Sequence, residues 1–124
     1  EEINEKLNIK TVCMDVNHWI VSGKYDVIMA SYLHMFKDER EELFKKIEDS
    51  LSSDGYFIAE FFSTKQISFN SGGPKDLDLL YTIEDFSNHF NLCKKNITEE
   101  IVVLDEGIGH QGEACVIRVV IQKI

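Results

Sequence analysis

Seven polar side chains stand where they could meet a ligand. His34 lies just past an apolar run, residues 25–30, where an imidazole with an ordinary pKa of roughly 6.5 can take a proton from a bound molecule. A loop histidine bonded to nearby backbone has the same sequence signature, so spacing leaves both readings open. His110 sits between Glu106 and Glu113, which either orient its ring or are simply the polar company of a turn. Asp15, at the end of residues 9–16, offers a carboxylate to an amine or ribose hydroxyl, or else starts a turn. Glu60 is the one ionisable residue in the run 56–62; a buried carboxylate must be paired or protonated, so it needs a partner or a wet strand end. Gln66, Lys75 and Tyr81 lie in or beside a connection, residues 63–78, longer than the roughly 12–15 residues at which structureless loops become uncommon. Such loops are often lids, which makes these three candidates for touching a ligand.

Gly107-Ile108-Gly109-His110-Gln111-Gly112 is a literal GxGxxG, and its context argues against a nucleotide loop. That loop works because a helix starts at its end and turns backbone N–H groups toward phosphate, whereas Cys115, Val116, Ile117, Val119, Val120 and Ile121 favour a strand. A glycine-rich hairpin connection fits better. His18, His34, His89 and His110 show no metal-ligand spacing with one another or with the cysteines, so no metal is expected.

These residues must be positioned by strands and helices that the pattern predicts. Residues 9–16 have the β-branched content of a strand. Residues 25–30 are almost continuously apolar, as in a strand covered on both faces of a parallel sheet. Asp38 with Glu41 forms a capping pair for a helix whose buried stripe is Leu43, Phe44, Ile47 and Leu51, and Gly55 belongs to the turn that ends it. Residues 56–62 are a second buried strand. Thr82 caps a helix holding Ile83, Phe86 and Phe90, with Asp85 completing the capping pair. Residues 97–104 and 114–124 flank a polar connection and predict a final antiparallel hairpin. Ile3 and Leu7, four apart, give residues 1–8 the look of a helix tail. The fold class is α/β with a mixed sheet, the parallel strands ending at one crevice.

The chain has 124 residues, room for one domain over residues 1–124. Hydrophobic residues make up 44%, enough for a packed core, and no apolar run approaches the roughly 20 residues of a membrane helix. A net charge of −9 spread along the chain excludes a basic face, so neither nucleic acid nor membrane is expected as a partner, and a small molecule is. Cys13, Cys93 and Cys115 lie in or beside apolar stretches without CxxC spacing, which reads as reduced core cysteines of a cytoplasmic protein.

Tyr25-Asp26-Val27-Ile28, Ser31 and His34, Asp38-Glu39-Arg40, Gly55-Tyr56-Phe57-Ile58-Ala59-Glu60-Phe61, Gln66, Gly72-Gly73-Pro74-Lys75, Leu80-Tyr81-Thr82 and Glu106-Gly107 with His110 and Gly112 together resemble the class I S-adenosylmethionine-dependent methyltransferases. The resemblance is to the small single-domain kind related to tellurite-resistance methyltransferases, and it covers nearly the whole chain. It implies a Rossmann-like sheet and S-adenosylmethionine as cofactor. It also implies that Asp15 and Val16 lie beside the adenine, that Ala30, Ser31 and Leu33 pass under the methionine end, and that Gln66, Gly73 and Lys75 close the substrate pocket. His34, with Tyr81 and His110 behind it, is then the expected base or orienting group for methyl transfer to a small molecule.

The first two strands of that family, with the glycine-rich cofactor loop and the ribose-binding acid, have no counterpart in the 124 residues. The chain is therefore expected to be an incomplete fold, not competent alone. The strand expected at residues 9–16 would lack a neighbour, so pairing with another chain, or a swapped dimer, is expected there. Two other readings remain: a non-catalytic α/β binding or assembly module, and a receiver-like signalling domain, for which Ser31 stands where a phosphate-accepting Asp is needed.

Overall fold

The computed structural model describes residues 7–124, so the helix tail expected at residues 1–8 lies almost wholly outside the described residues. Six regular elements follow one another: β1 (Tyr25–Ser31), α1 (Lys37–Ser50), β2 (Leu51–Phe62), α2 (Ile83–Ser87), β3 (Cys93–Asp105) and β4 (Gln111–Lys123). They form one four-stranded mixed sheet in the order β1-β2-β4-β3. β1 and β2 are parallel, joined by α1 as a crossover, whereas β4 runs antiparallel to both β2 and β3. The expected mixed α/β sheet and closing hairpin are thus present. An antiparallel β4 beside β2 departs from the all-parallel doubly wound sheet of a receiver domain and rules that reading out.

The strand expected at residues 9–16 does not form. Those residues have no regular structure until a short 3-10 turn at Val16–His18, and most are exposed. A β-branched run becomes a strand only when a neighbour satisfies its N–H and C=O groups, and β1 is the outermost strand on this side of the sheet. Cys13 is accordingly exposed rather than in the core; Cys93 is half-buried and Cys115 buried.

Three boundaries differ from the sequence pattern. α1 begins at Lys37, with the Glu39 carboxylate accepting from the Phe36 N–H at 3.2 Å, so Asp38 lies inside the first turn instead of capping it. The helix ends at Ser50 and β2 follows at once; the turn around Gly55 is an irregularity within β2, where the register to β1 jumps from Tyr25↔Leu51 to Val27↔Tyr56. Asp54 takes the left-handed backbone (φ 66°), while Gly55 is required for close approach: a Cβ there would sit 3.1 Å from the Asp26 carbonyl oxygen and 2.9 Å from that of Ser52. α2 has the expected cap, the Thr82 N–H donating to Asp85 at 2.8 Å, but it stops at Ser87, and Phe90 follows in left-handed backbone (φ 60°).

One face of the sheet is covered. Phe57, Ala59 and Phe61 of β2 and Ile117, Val119 and Ile121 of β4 pack against Leu43, Phe44 and Ile47 of α1 and against Phe86 and Phe90. Burying each large side chain is worth roughly 1.5–3 kcal/mol, and the rings add directional contacts, Phe61 with Tyr81 at 4.3 Å and Phe44 with Phe86 at 5.2 Å between centroids. The other face, with Val27, Met29, Tyr56, Ile58 and Val120, is exposed. No helix among the described residues is long and apolar enough to cross a membrane.

Arg40 sits on the buried stripe of α1 and is only 2% exposed. Nε donates to the Met35 carbonyl (3.0 Å), Nη2 to those of Asp78 (2.9 Å) and Leu80 (2.8 Å), and Nη1 to the Asp85 carboxylate (3.1 Å). The guanidinium carbon lies 3.6 Å from the centre of the Tyr81 ring. Every donor bond ends on the segment before α1, on the one leading into α2, or on the first turn of α2 itself. Removing one partner of such a buried network leaves the others unsatisfied, at a cost of about 3–5 kcal/mol. Arg40→Ala should therefore lower the free energy of unfolding by that amount, seen as a lower urea midpoint at unchanged slope, and Arg40→Lys should recover little of it, because an ammonium cannot span the same fork. Equal midpoints for Arg40→Lys and wild type in equilibrium unfolding would contradict this.

Candidate functional site

β1 and β2 end side by side, Ser31 opposite Glu60, and the chain leaves both at one crevice. Tyr32 turns out of β1 with positive φ (51°), its N–H held by the Glu60 carbonyl at 2.7 Å. Its hydroxyl donates to the Glu60 carboxylate, which also accepts from Arg118 Nε at 2.7 Å. Glu60 thus has its partners at a half-wet strand end. Burial first, and then Glu60, push the Tyr32 phenol well above its ordinary pKa.

Phe62, at the end of β2, is 2% exposed and is the ring on which the connections at this end of the sheet pack. The His34 ring lies nearly parallel to it, 8° off with centroids 6.2 Å apart, and Tyr32 packs on it at 4.7 Å. Gly73 (φ 84°) lies so close that a Cβ would be 2.9 Å from the ring. Gly72 (φ 113°) lies equally close to the hairpin tip, where a Cβ would meet the Gly109 carbonyl oxygen at 2.6 Å and His110 Cδ2 at 2.8 Å. Only glycine meets both demands at these positions. His34, Gly73 and His110, drawn from three separate connections, therefore gather around Phe62 and Gly72. Partial desolvation, and secondarily the neighbouring His110, lower the pKa of His34, whose ring is otherwise exposed, and so favour the neutral imidazole that can accept a proton.

The other expected site residues occupy different places. Gln66 is fully buried: Oε1 accepts from the Cys115 N–H (2.8 Å), and Nε2 donates to Ser71 Oγ (2.9 Å) and the Gly72 carbonyl (3.0 Å). It fastens the 63–78 connection to β4, with Ser71 adding a bond to the Glu113 carbonyl at 2.7 Å. That connection contains 3-10 turns at Thr64–Ser68 and Leu77–Leu79. Lys75 donates to the Phe69 carbonyl at 3.0 Å and is exposed. Tyr81 is 1% exposed, and its hydroxyl donates to the Leu33 carbonyl at 2.8 Å, so it stands one bond behind His34. Asp15 accepts from the Asn17 N–H at 2.9 Å. Val16 lines a separate cavity of about 610 Å³ with His18, Trp19 and Tyr25. Ala30 and Ser31 border a shallower one of about 360 Å³ against Ile58, Glu60 and Arg118 on the bare sheet face.

Phe62, Tyr32 and Arg40 are the contributors that residue type alone did not single out. An aromatic residue ending an apolar strand looks like core in any sequence; only the GG pair at 72–73, which has to lie against something, hints at a flat neighbour.

The fold has clear relatives among solved structures. TehB from Haemophilus influenzae superposes with a TM-score of 0.75 at 17% identity over 99% of this chain and 44% of its own length. A S-adenosylmethionine-dependent methyltransferase from Clostridium acetobutylicum gives 0.63 at 14% identity, covering 98% of this chain and 67% of that one, and the N-methyltransferase NodS from Bradyrhizobium japonicum gives 0.59 at 7%, covering 90% and 58%. No family model and no curated protein matches in sequence. The architecture is thus part of the Rossmann-like fold of class I methyltransferases, and the chain spans between 44% and 67% of the length of these structures.

Because the folded protein resists protonating His34, the unfolded chain takes up the extra proton as pH falls below about 6.5, and His34 makes stability decrease there. A nitrogen-detected NMR titration should give His34 a midpoint below 6.5, moved partly upward by His110→Gln, since burial remains. A midpoint at or above 6.5 would contradict the arrangement.

Proposed function

We propose that these residues form the carboxyl-terminal part of a S-adenosylmethionine-dependent methyltransferase acting on a small molecule, of the kind related to tellurite-resistance methyltransferases. The observation that carries the reading is the crevice at the ends of parallel β1 and β2, where His34, Phe62, Gly73 and His110 meet. In open α/β sheets, ligands bind outside the carboxyl ends of the strands. The likeness to TehB and to the Clostridium methyltransferase over nearly all of this chain supports the same reading, as do the Gly-Gly-Pro-Lys and Glu-Gly-x-x-His-x-Gly runs.

The residues present fit one side of the cofactor. Val16 and Trp19 offer apolar walls to a flat heterocycle, while at the end of β1 Ala30 and Ser31 border the cavity on the bare sheet face and Leu33 packs against the core. The described residues contain no strand followed by a glycine-rich turn into a helix, so the phosphate-free ribose and amino-acid flanks need the part of the fold that lies beyond these residues. When bound, S-adenosylmethionine supplies a methyl group activated by a sulfonium. His34 accepts the proton of an acceptor that carries one, Phe62 fixes the plane of the site, and the glycine pair with Gln66 behind it holds the substrate side in place. Tyr81 positions the 32–34 turn through Leu33, and desolvation, with His110 second, favours the neutral form of His34. Lys75 lies at the rim, where it meets an incoming anionic group.

Calorimetric titration of S-adenosylmethionine tests this. A form spanning the whole fold should bind, and the 124 residues alone should give little or no heat. In that longer form, His34→Ala should lower kcat by about 10²-fold or more for a protonated acceptor with cofactor affinity unchanged. Absence of binding by both forms would favour a non-catalytic module instead.

A further inference from the structure

β3 is the outermost strand of the sheet on the side away from β1, paired only with β4 in an unshifted register. The Ile124 N–H donates to the Leu92 carbonyl at one end of this ladder, and the Glu106 N–H to the His110 carbonyl at the other. In an antiparallel pair, hydrogen-bonded positions alternate, so the even-numbered residues of β3 direct their backbone at β4. The odd-numbered Lys95, Ile97, Glu99 and Ile101 direct theirs outward. Among the described residues, none of these outward groups bonds to the backbone of another segment. A long, unbonded edge of this kind is a template for another strand.

We propose that the partner is β3 of a second copy, antiparallel across a twofold axis at Ile97. The stretch Lys94-Lys95-Asn96-Ile97-Thr98-Glu99-Glu100 is a charge palindrome. With Ile97 on Ile97, Lys94 faces Glu100 and Lys95 faces Glu99 in both directions, Asn96 faces Thr98, and exposed Ile101 meets half-buried Cys93. Both members of each hydrogen-bonded pair are then odd-numbered, as the outward groups require. Moving the twofold two residues along, to Lys95 or Glu99, sets like charges opposite each other, and a parallel in-register pair stacks lysine on lysine throughout; such like pairs are destabilising. The segment is neutral in a chain of net charge −9, so its edge escapes the repulsion that the rest of the surface would bring to a dimer. Self-complementarity of one patch with itself is what a twofold interface demands. Lys95 and Glu99 keep part-buried or charge-paired bonds within their own chain, to the Ser87 carbonyl and to Ser63 and Lys65, whereas Glu100 has only exposed partners to exchange, Thr98 Oγ1 at 2.7 Å and Arg118 Nη1 at 3.6 Å, so Lys94 and Glu100 on the bare face are the pair that decides association.

Sedimentation equilibrium at low salt, over concentrations reaching roughly 0.5 mM, should show the 14.3 kDa chain moving toward twice its mass. Lys94→Glu and Glu100→Lys should each abolish the shift, and the double exchange should restore it, because it regenerates the palindrome with signs reversed. Independently of any substitution, amide exchange at Lys95, Ile97 and Glu99 should slow as wild-type concentration rises. A chain that stays monomeric throughout, a dimer indifferent to the single exchanges, or edge amides that exchange equally fast at all concentrations would overturn the proposal.

Discussion

The guanidinium of Arg40 is where helix, loop and crevice are made to agree. An always-charged group taken out of water needs nearly every donor occupied, and Arg40 finds its acceptors only if the chain before α1, residues 78–80 and the cap of α2 all converge on it. Asp85 serves both the cap of α2 and Arg40, so a helix of only five residues is held by the same charge that anchors the loop before it. The ring of Tyr81 lies under that charge, and its hydroxyl reaches the Leu33 carbonyl. Through two contacts, a buried ion therefore sets the backbone just ahead of His34.

The opposite wall of the crevice depends on another buried polar group. Gln66 uses both ends of its amide, tying the loop that carries Gly72 and Gly73 to β4. The glycines then lie against Phe62 and the His110 turn at distances no side chain would allow. Both sides are held by polar side chains satisfied inside the protein, and His34 and Tyr32 pack on the buried Phe62 ring between them, with the His34 imidazole exposed to solvent. The bare face of the sheet, where Met29 is 70% exposed, belongs to the same picture: parallel strands are ordinarily covered on both faces, and this chain spans only 44% and 58% of two of the structures it resembles.

Much of this was legible in the residues. Apolar runs at 25–30 and 56–62 and the two flanking the 105–113 connection gave strands where strands are, because short β-branched and aromatic runs bounded by turn residues favour extended chain; the covering on both faces expected for residues 25–30 is not present among the described residues, where none of β1 is buried. Thr82 with Asp85 read correctly as a cap. Residues 9–16 misled because β-branched content reports fitness for a sheet without reporting whether a neighbour exists to bond with. Asp38 misled because Glu39, one residue on, reaches back to the Phe36 N–H and starts α1 earlier. Gln66 and Tyr81 were picked out as ligand contacts, and both proved to be buried braces: an amide or phenol that is fully used inside the protein looks the same in a sequence as one that waits for a ligand. Phe62 stayed invisible for the converse reason, being an apolar residue whose face matters. The convergence of His34 and His110 depends on tertiary folding across seventy-odd residues and has no local signal.

The central claim is that the crevice at the ends of β1 and β2 is where cofactor and substrate meet. Amide chemical-shift mapping of the protein spanning the whole fold, titrated with S-adenosylhomocysteine, tests it most directly. Perturbations concentrated at residues 30–34, with weaker ones at Gly72, Gly73 and His110, are the predicted result. Perturbations confined to β3 and the far ends of the strands, with residues 30–34 silent, would contradict it.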